Sequence, residues 1–272
     1  MSVQGLTAVI AVESRKLFAQ LTTRILLAVC AVAPVILAFT VRIQSSVPAD
    51  TLFGRSIKES GFALPLVVLG FAMLWVFPVL ASVVGGDLFA AEDRYGTWKS
   101  VVTRSRSREE LFAGKVLVAI GCSAAAVALL ALSSVAAGLL IIGAQPLIDL
   151  SGVPRSDLPA LTRIGLAWAA MLPPTFAMTA LAVLLSVATR STAAGIGLPV
   201  LAALVMQLYA LVDGPEAVRR VLITSAFSAW HGLLTEPRYY GPLFDGMLVS
   251  AVYMVVCLAA AELMFRRRDF GG

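Results

Sequence analysis

Charge is what this chain has least of. Charged residues make up 14% of its 272 residues, against about 25% in an ordinary soluble domain, and that shortage excludes a soluble globular fold. Histidine occurs once, at His231. No cysteine or carboxylate stands beside it at metal-ligand spacing, so it reads as an interfacial residue and not a ligand. The three cysteines, Cys30, Cys122 and Cys257, fall in apolar runs where a thiol behaves as a small apolar residue, and they imply no disulfide framework. Catalytic spacings are missing too. Gly114-Lys115 is followed by Val116 and lacks the upstream glycine of a phosphate loop, and neither His-Glu-x-x-His nor Gly-x-Ser-x-Gly occurs. The chain has no nucleotide site of that kind and no recognisable enzyme motif.

What it has instead is apolar length. Hydrophobic residues reach 59% and the mean hydropathy is +0.91. A helix needs roughly 20 mostly apolar residues to cross about 30 Å of hydrocarbon. Six stretches meet or approach that length, at about 25–41, 61–84, 116–142, 164–188, 193–212 and 243–263. They are too long and too uniformly apolar for barrel strands. The expected fold is therefore an all-α polytopic membrane protein, one transmembrane domain spanning 1–272. The first apolar run has no small-residue cleavage site after it and reads as a retained anchor.

The net charge of +5 and pI near 9.4 would suit nucleic acid, but the basic residues cluster at membrane boundaries, which argues for lipid headgroups. Lys and Arg are in excess on the side that carries both termini, so the positive-inside rule places the N and C termini in the cytoplasm of a multi-pass cytoplasmic-membrane protein. Apart from Asp245 and Glu262 near the two ends of the sixth, the assigned spans hold no Asp, Glu, Lys, Arg or His. Ion-coupled transport normally leaves such residues at depth, so an energy source outside this chain is expected.

Three connecting regions carry further pattern. Residues 3–21 read as an interfacial amphipathic helix, with Val3, Leu6, Val9, Ile10, Leu17 and Leu21 on one face and Gln4, Glu13, Arg15, Lys16 and Gln20 largely off it. Between 213 and 242, Val218, Val221 and Leu222 and then Phe227, Trp230 and Leu234 suggest two short helices dipping into the outer leaflet. The third region is a polar island from 85 to 115 with Asp87, Glu92, Asp93, Arg94, Lys99, Arg104, Arg106, Arg108, Glu109, Glu110 and Lys115. Leu88, Ala91, Tyr95, Trp98 and Val102 recur through it at helical spacing. That gives an apolar docking face with Glu92, Asp93, Arg94 and Lys99 for register.

The run Asp87-Leu88-Phe89-Ala90-Ala91-Glu92-Asp93-Arg94-Tyr95-Gly96-Thr97-Trp98-Lys99-Ser100-Val101-Val102, with Arg104, Arg108, Glu109, Leu111, Gly114 and Lys115 after it, resembles the ABC exporter permeases of the second type. So does the ending Phe265-Arg266-Arg267-Arg268-Asp269-Phe270. The resemblance implies six-span subunits that pair, as homodimer or heterodimer, each docked on one of two separate ATP-binding subunits that hold the ATP and Mg. It puts Glu92, Arg94, Tyr95, Gly96, Thr97 and Trp98 on a cytoplasmic coupling helix between spans two and three, with Arg104 and Arg108 as a basic hinge after it. It also implies a substrate path between the second and fifth spans of opposing subunits, with Phe71, Trp75, Met178, Met206, Gln207 and Tyr209 as its candidate lining. An apolar and aromatic lining suits a lipophilic or amphipathic cargo such as a drug, an antibiotic or a lipid. Two other classes fit the same composition: a secondary transporter or channel, and a membrane scaffold driven by an ATPase pair without transport.

Overall fold

The computed structural model describes residues 3–44, 53–98, 107–148, 150, 152–155, 157–210, 212 and 214–268, apart from the side chains at 3, 4, 55, 155 and 157. It is an all-α bundle. Among the described residues the only sheet is a two-residue ladder in which Leu147 pairs with Arg155 and Ile148 with Pro154. Six helical stretches are long and apolar enough to cross a membrane: Leu21–Ile43, Gly61–Tyr95, Arg108–Ile142, Leu158–Thr189, Thr192–Ala210 and Gly241–Arg266. An N-terminal helix, Val3–Ala19, precedes them.

The spans alternate direction, so one end of the bundle gathers the N-terminal helix, the Thr189–Thr192 hairpin and the last turn of the sixth span. This is called the terminal end below. At the opposite end lie the connections after the first, third and fifth spans.

All six expected spans are present, but the polar island is not the loop it was expected to be. The second helix runs on past Val84 to Tyr95, and the third begins at Arg108 instead of near 116. Helix propensity and capping explain both ends. Phe89-Ala90-Ala91-Glu92 continues the helix without a breaker, and Gly96 stops it with φ of 63°, a left-handed C-cap that glycine adopts without a Cβ penalty. Ser107 opens the third helix by accepting a hydrogen bond at its hydroxyl from the Glu110 N–H at 3.1 Å, with Glu109 and Glu110 in the first turn where the helix dipole favours acids.

Prolines shape the spans, and their neighbours repair them. Proline has no N–H, so the carbonyl four residues earlier loses its helical donor. In the first span Pro34 orphans the Cys30 carbonyl, and Ser133 of the third span donates its hydroxyl to that oxygen at 2.8 Å. In the second span Pro78 orphans the Leu74 carbonyl inside a π-helical segment, Ala72–Val76, and Gln207 of the fifth span donates its side-chain N–H there. Each lost bond thus becomes an interhelical one, the usual remedy where no water is at hand. The fourth span differs from its expected single run. It breaks at Ala170 and Met171 between helices Asp157–Ala169 and Leu172–Thr189, because Pro173 and Pro174 withdraw two consecutive donors.

Close packing relies on small residues. A Cβ on Gly86 of the second span would run into the Gly195 carbonyl of the fifth, and one on Gly61 into the Gly138 carbonyl of the third, so these crossings exist because the side chains do not. At the opposite end the segment after the fifth span forms helices Glu216–Arg220 and Ile223–Ala226 and a 3-10 turn, Ala229–Leu234. Its second apolar patch corrects the expectation of a leaflet-facing helix. Phe227, Trp230 and Leu234 are buried because they pack on the bundle: Phe227 stacks on Phe77 with centroids 5.9 Å apart, and Trp230 stacks on Phe53 at 6.5 Å. Val218 and Val221 of the first patch remain exposed.

Candidate functional site

The end of the second span and the residues just after it, from Asp87 to Trp98, touch the N-terminal helix and the third, fourth, fifth and sixth spans. Asp87 accepts from the Gln20 side chain at 3.3 Å and from the Thr192 hydroxyl at 2.9 Å. It thereby links the start of the first span to the start of the fifth, with Arg94 3.8 Å away. The Ser186 hydroxyl of the fourth span accepts from the Ala90 N–H at 3.0 Å. Asp93 pairs with Arg268, just beyond the sixth span, and Arg108 donates to the Arg266 and Arg268 carbonyls, each at 2.8 Å.

At the centre is a buried ion cluster. Lys115 is 1% exposed. Its Nζ donates to Glu13 Oε2 at 2.6 Å, to Glu92 Oε1 at 3.2 Å and to the Leu88 carbonyl at 3.3 Å, so all three ammonium donors have acceptors. Lys16 reaches the same two carboxylates, Glu13 Oε1 at 3.0 Å and Glu92 Oε1 at 2.9 Å, and Thr97 donates its hydroxyl to Glu92 Oε2. Two cations thus face two anions, the condition under which buried charge is tolerated. Burial pulls the Lys16 ammonium down, but the bonds and charges of Glu92 and Glu13 outweigh it and leave its pKa raised. Lys16 therefore stays charged at neutral pH and keeps the cluster balanced.

An aromatic group closes the cluster on one side. Phe89 lies 6.2 Å from Trp98, 5.5 Å from Phe112 and 5.3 Å from Phe265 by ring centroids. The Lys115 Nζ sits 5.9 Å from the Trp98 ring and the Arg268 guanidinium 5.4 Å from it, within reach of cation–π attraction. Together these contacts fix where the chain goes after Gly96.

This geometry redistributes the residues expected on a coupling helix. Glu92, 7% exposed, and Trp98, 6% exposed, face inward. Thr97 is half-buried. Arg94, Tyr95 and Gly96 form the exposed tip, with Tyr95 69% exposed and the Arg94 guanidinium 4.7 Å above its ring. The expected apolar stripe does not hold together, because the turn at Gly96 takes Trp98 out of helical phase with Leu88 and Tyr95. Arg104 lies outside the described residues. Arg108 caps the end of the sixth span and is not part of a free hinge.

Within one chain the six candidates for a substrate path do not share one lining. Phe71 and Trp75 are exposed on the second span, while Met178 is 0% exposed inside the fourth, where the helix face of Thr175 and Thr179 turns into the core. Met206 is partly buried against the core, and Tyr209 packs beside Gly214. Gln207 alone of the six borders a cavity of about 470 Å³ between the second and fifth spans and the short helices after them.

Three members of the ion cluster were missed at the sequence level. Glu13 was set on a polar face, yet it falls between Ile10 and Leu17 at spacings of three and four, which places it in the apolar stripe. Lys115 belongs to the expected polar island, one residue outside the expected third span. Lys16 falls off the expected apolar face. Carboxylates and lysines interrupting apolar helical stripes were the available signal. Among the described residues, no three His, Cys, Asp or Glu side chains gather as a metal site.

Residues 25–270 match a family described as protein of unknown function, DUF2705. The chain belongs to that family. The matched stretch covers the six spans and the tip and omits the N-terminal helix, including Glu13 and Lys16. No curated protein matches the chain.

Proposed function

We propose that this protein is the membrane subunit of an ATP-driven exporter, pairing with a second permease subunit and receiving force from two separate ATP-binding subunits. The termini and the Arg94–Gly96 tip then face the cytoplasm, as the positive-inside bias favours, and the membrane is the cytoplasmic one. The observation that carries this reading is the bracing of the exposed tip. A partner pressing on Arg94 and Tyr95 presses on a helix end held by Asp87, Glu92 and Asp93 to the N-terminal helix and to the third, fifth and sixth spans. Packed elements of this kind move as bodies and do not deform continuously. A push at the tip would therefore shift several spans together. The cargo proposed is lipophilic or amphipathic, because the exposed faces of the second and fifth spans are apolar.

The test is affinity purification of the tagged full chain from its native membranes. The expected result is copurification of an ATP-binding subunit, lost in Arg94→Glu/Tyr95→Ala while the variant keeps its thermal unfolding temperature. Trp98→Ala is unsuitable for this purpose, since Trp98 is packing and not surface. A chain that purifies without any ATPase and moves solute down an ion gradient contradicts the proposal and indicates a secondary transporter. A normal complex whose ATP hydrolysis no candidate cargo stimulates indicates the scaffold instead.

A further inference from the structure

The cavity beside Gln207 has walls of two kinds. Met73, Leu74, Ala210 and Phe227 are apolar, and Arg219 and Thr224 each bring a polar atom that is fully buried and has no hydrogen-bond partner among the described residues: Arg219 Nε and Thr224 Oγ1. The rest of these side chains' surroundings is occupied. Arg219 Nη2 donates to the Val212 carbonyl at 3.1 Å, Ser225 donates to the Arg219 carbonyl at 2.6 Å, and Gln207 serves the Leu74 carbonyl. At the rim Arg220 pairs with Glu216 at 2.6 Å. Among the described residues that line it, two arginines and one glutamate leave one cation in excess.

Leaving a buried guanidinium N–H and a hydroxyl unpaired costs roughly as much as a lost hydrogen bond each, and both belong to residues that line one space, so an occupant that draws these two side chains toward it recovers that cost. A guanidinium and a hydroxyl in the lining of one space suit the oxygens of a carboxylate or phosphate. The volume of about 470 Å³ far exceeds the roughly 30 Å³ share of one water. Its apolar wall continues onto Leu74 and Trp75, 40% and 57% exposed on the outside of the second span, where a membrane-spanning helix meets acyl chains.

We propose that this cavity binds the head of an amphipathic anion. One carboxylate or phosphate sits at Arg219 and Thr224, and an alkyl chain runs over Met73, Leu74 and Phe227 toward the bilayer. The site is distinct from the tip and ion cluster at the terminal end, and it does not depend on the exporter reading, since its test contains no ATPase.

The full chain, purified in a non-ionic detergent, is titrated with laurate, dodecyl phosphate, dodecyltrimethylammonium and inorganic phosphate and followed by native mass spectrometry. The expected result is saturable one-to-one binding of laurate or dodecyl phosphate, with little binding of inorganic phosphate and none of the cation. Arg219→Gln should weaken anion binding about ten- to hundredfold, the range for a lost hydrogen bond to a charged group, and Thr224→Val about tenfold or less. Arg219→Lys, which keeps the charge, should fall between wild type and Arg219→Gln. A parallel arm in nanodiscs containing phosphatidylglycerol assigns the source. Phosphatidylglycerol retained by wild type and lost from Arg219→Gln identifies a bilayer lipid, and binding of the single-chain anions alone identifies a free amphiphile. Equal binding of anion and cation by wild type overturns the proposal, whether or not the variants fold. So does unchanged anion binding in folded Arg219→Gln and Thr224→Val.

Discussion

The two ends of the bundle are joined by different forces. At the terminal end the helices meet through buried charge: Lys115 and Lys16 between Glu13 and Glu92, Asp93 on Arg268, and Asp87 between Gln20 and Thr192. At the opposite end they meet mainly through rings and backbone, with Phe77 between Trp168 and Phe227 and the Gly61 N–H donating to the Gly143 carbonyl at 2.9 Å; the one buried cation described there, Arg163, pairs at 2.6 Å with the half-exposed Glu236 of the segment after the fifth span and not with another span. Ring packing tolerates some sliding, whereas an ammonium with three assigned acceptors has one place to be. The terminal end is therefore the end where relative helix position is specified, and it is also where the exposed tip emerges. That coincidence is what one expects if movement at the tip must be passed on faithfully.

Substitutions can break this contrast. The largest effect should come from Lys115→Met, which leaves Glu13 and Glu92 buried with only half-exposed Lys16 between them. Breaking a buried pair by removing one partner typically costs about 3–5 kcal/mol, to be read as a fall in thermal unfolding temperature of the purified protein. Phe77→Ala should cost about 3 kcal/mol or somewhat more through the cavity it leaves. That loss should be insensitive to any change at Glu13 or Glu92, because the two ends share no contacts and distant sites add. A loss from Phe77→Ala that depended on the state of the ion cluster would merge the two regions into one.

Gly86→Ala comes next. Its Cβ would meet the Gly195 carbonyl, and backbone cannot rotate away, so a loss of about 1–3 kcal/mol is expected, with Gly70→Ala, which meets nothing within 4 Å, as the neutral control in the same helix. The smallest effect on stability belongs to Tyr95→Ala. As an exposed residue it should stay within about 0.5 kcal/mol of wild type, while the proposed exporter role expects the same substitution to weaken copurification of an ATP-binding subunit. A Tyr95→Ala protein that unfolds early would show that the tip is held by contacts of its own.

Much of this molecule was legible in advance, and for a clear reason. Apolar length reports spans directly, so all six appeared in sequence within a turn or two at most ends. The two large displacements, Val84 to Tyr95 and 116 to Arg108, occurred where helices continue beyond apolar residues into polar ones, which a hydropathy argument cannot follow. Gly96 and Ser107 were the correct punctuation. The site was less legible. Glu92, Trp98 and Arg108 lie in the right stretch, but Glu92 and Trp98 point inward instead of toward a partner, because a polar stretch does not reveal that its carboxylate meets a buried lysine or that its tryptophan packs on Phe89 and Phe265. Glu13 and Lys16 come from one other segment and Lys115 from a second, and nothing local in either segment announces the other. The role of Gln207 could have been anticipated in part, because Pro78 guarantees an orphan carbonyl at Leu74 and some polar side chain must answer it.

The account rests most heavily on the claim that Lys115 is tolerated in the interior because Glu13 and Glu92 neutralise it. The direct measurement is a comparison of Lys115→Met with Lys115→Met/Glu13→Gln/Glu92→Gln by thermal unfolding of the purified chain. Removing all three charges should restore most of the stability lost with the lysine alone, since the carboxylates are then no longer left without their buried cation. If the triple variant is as unstable as the sum of its separate losses, the cluster is not a compensated unit and the bracing of the tip must come from the aromatic packing around Trp98 instead.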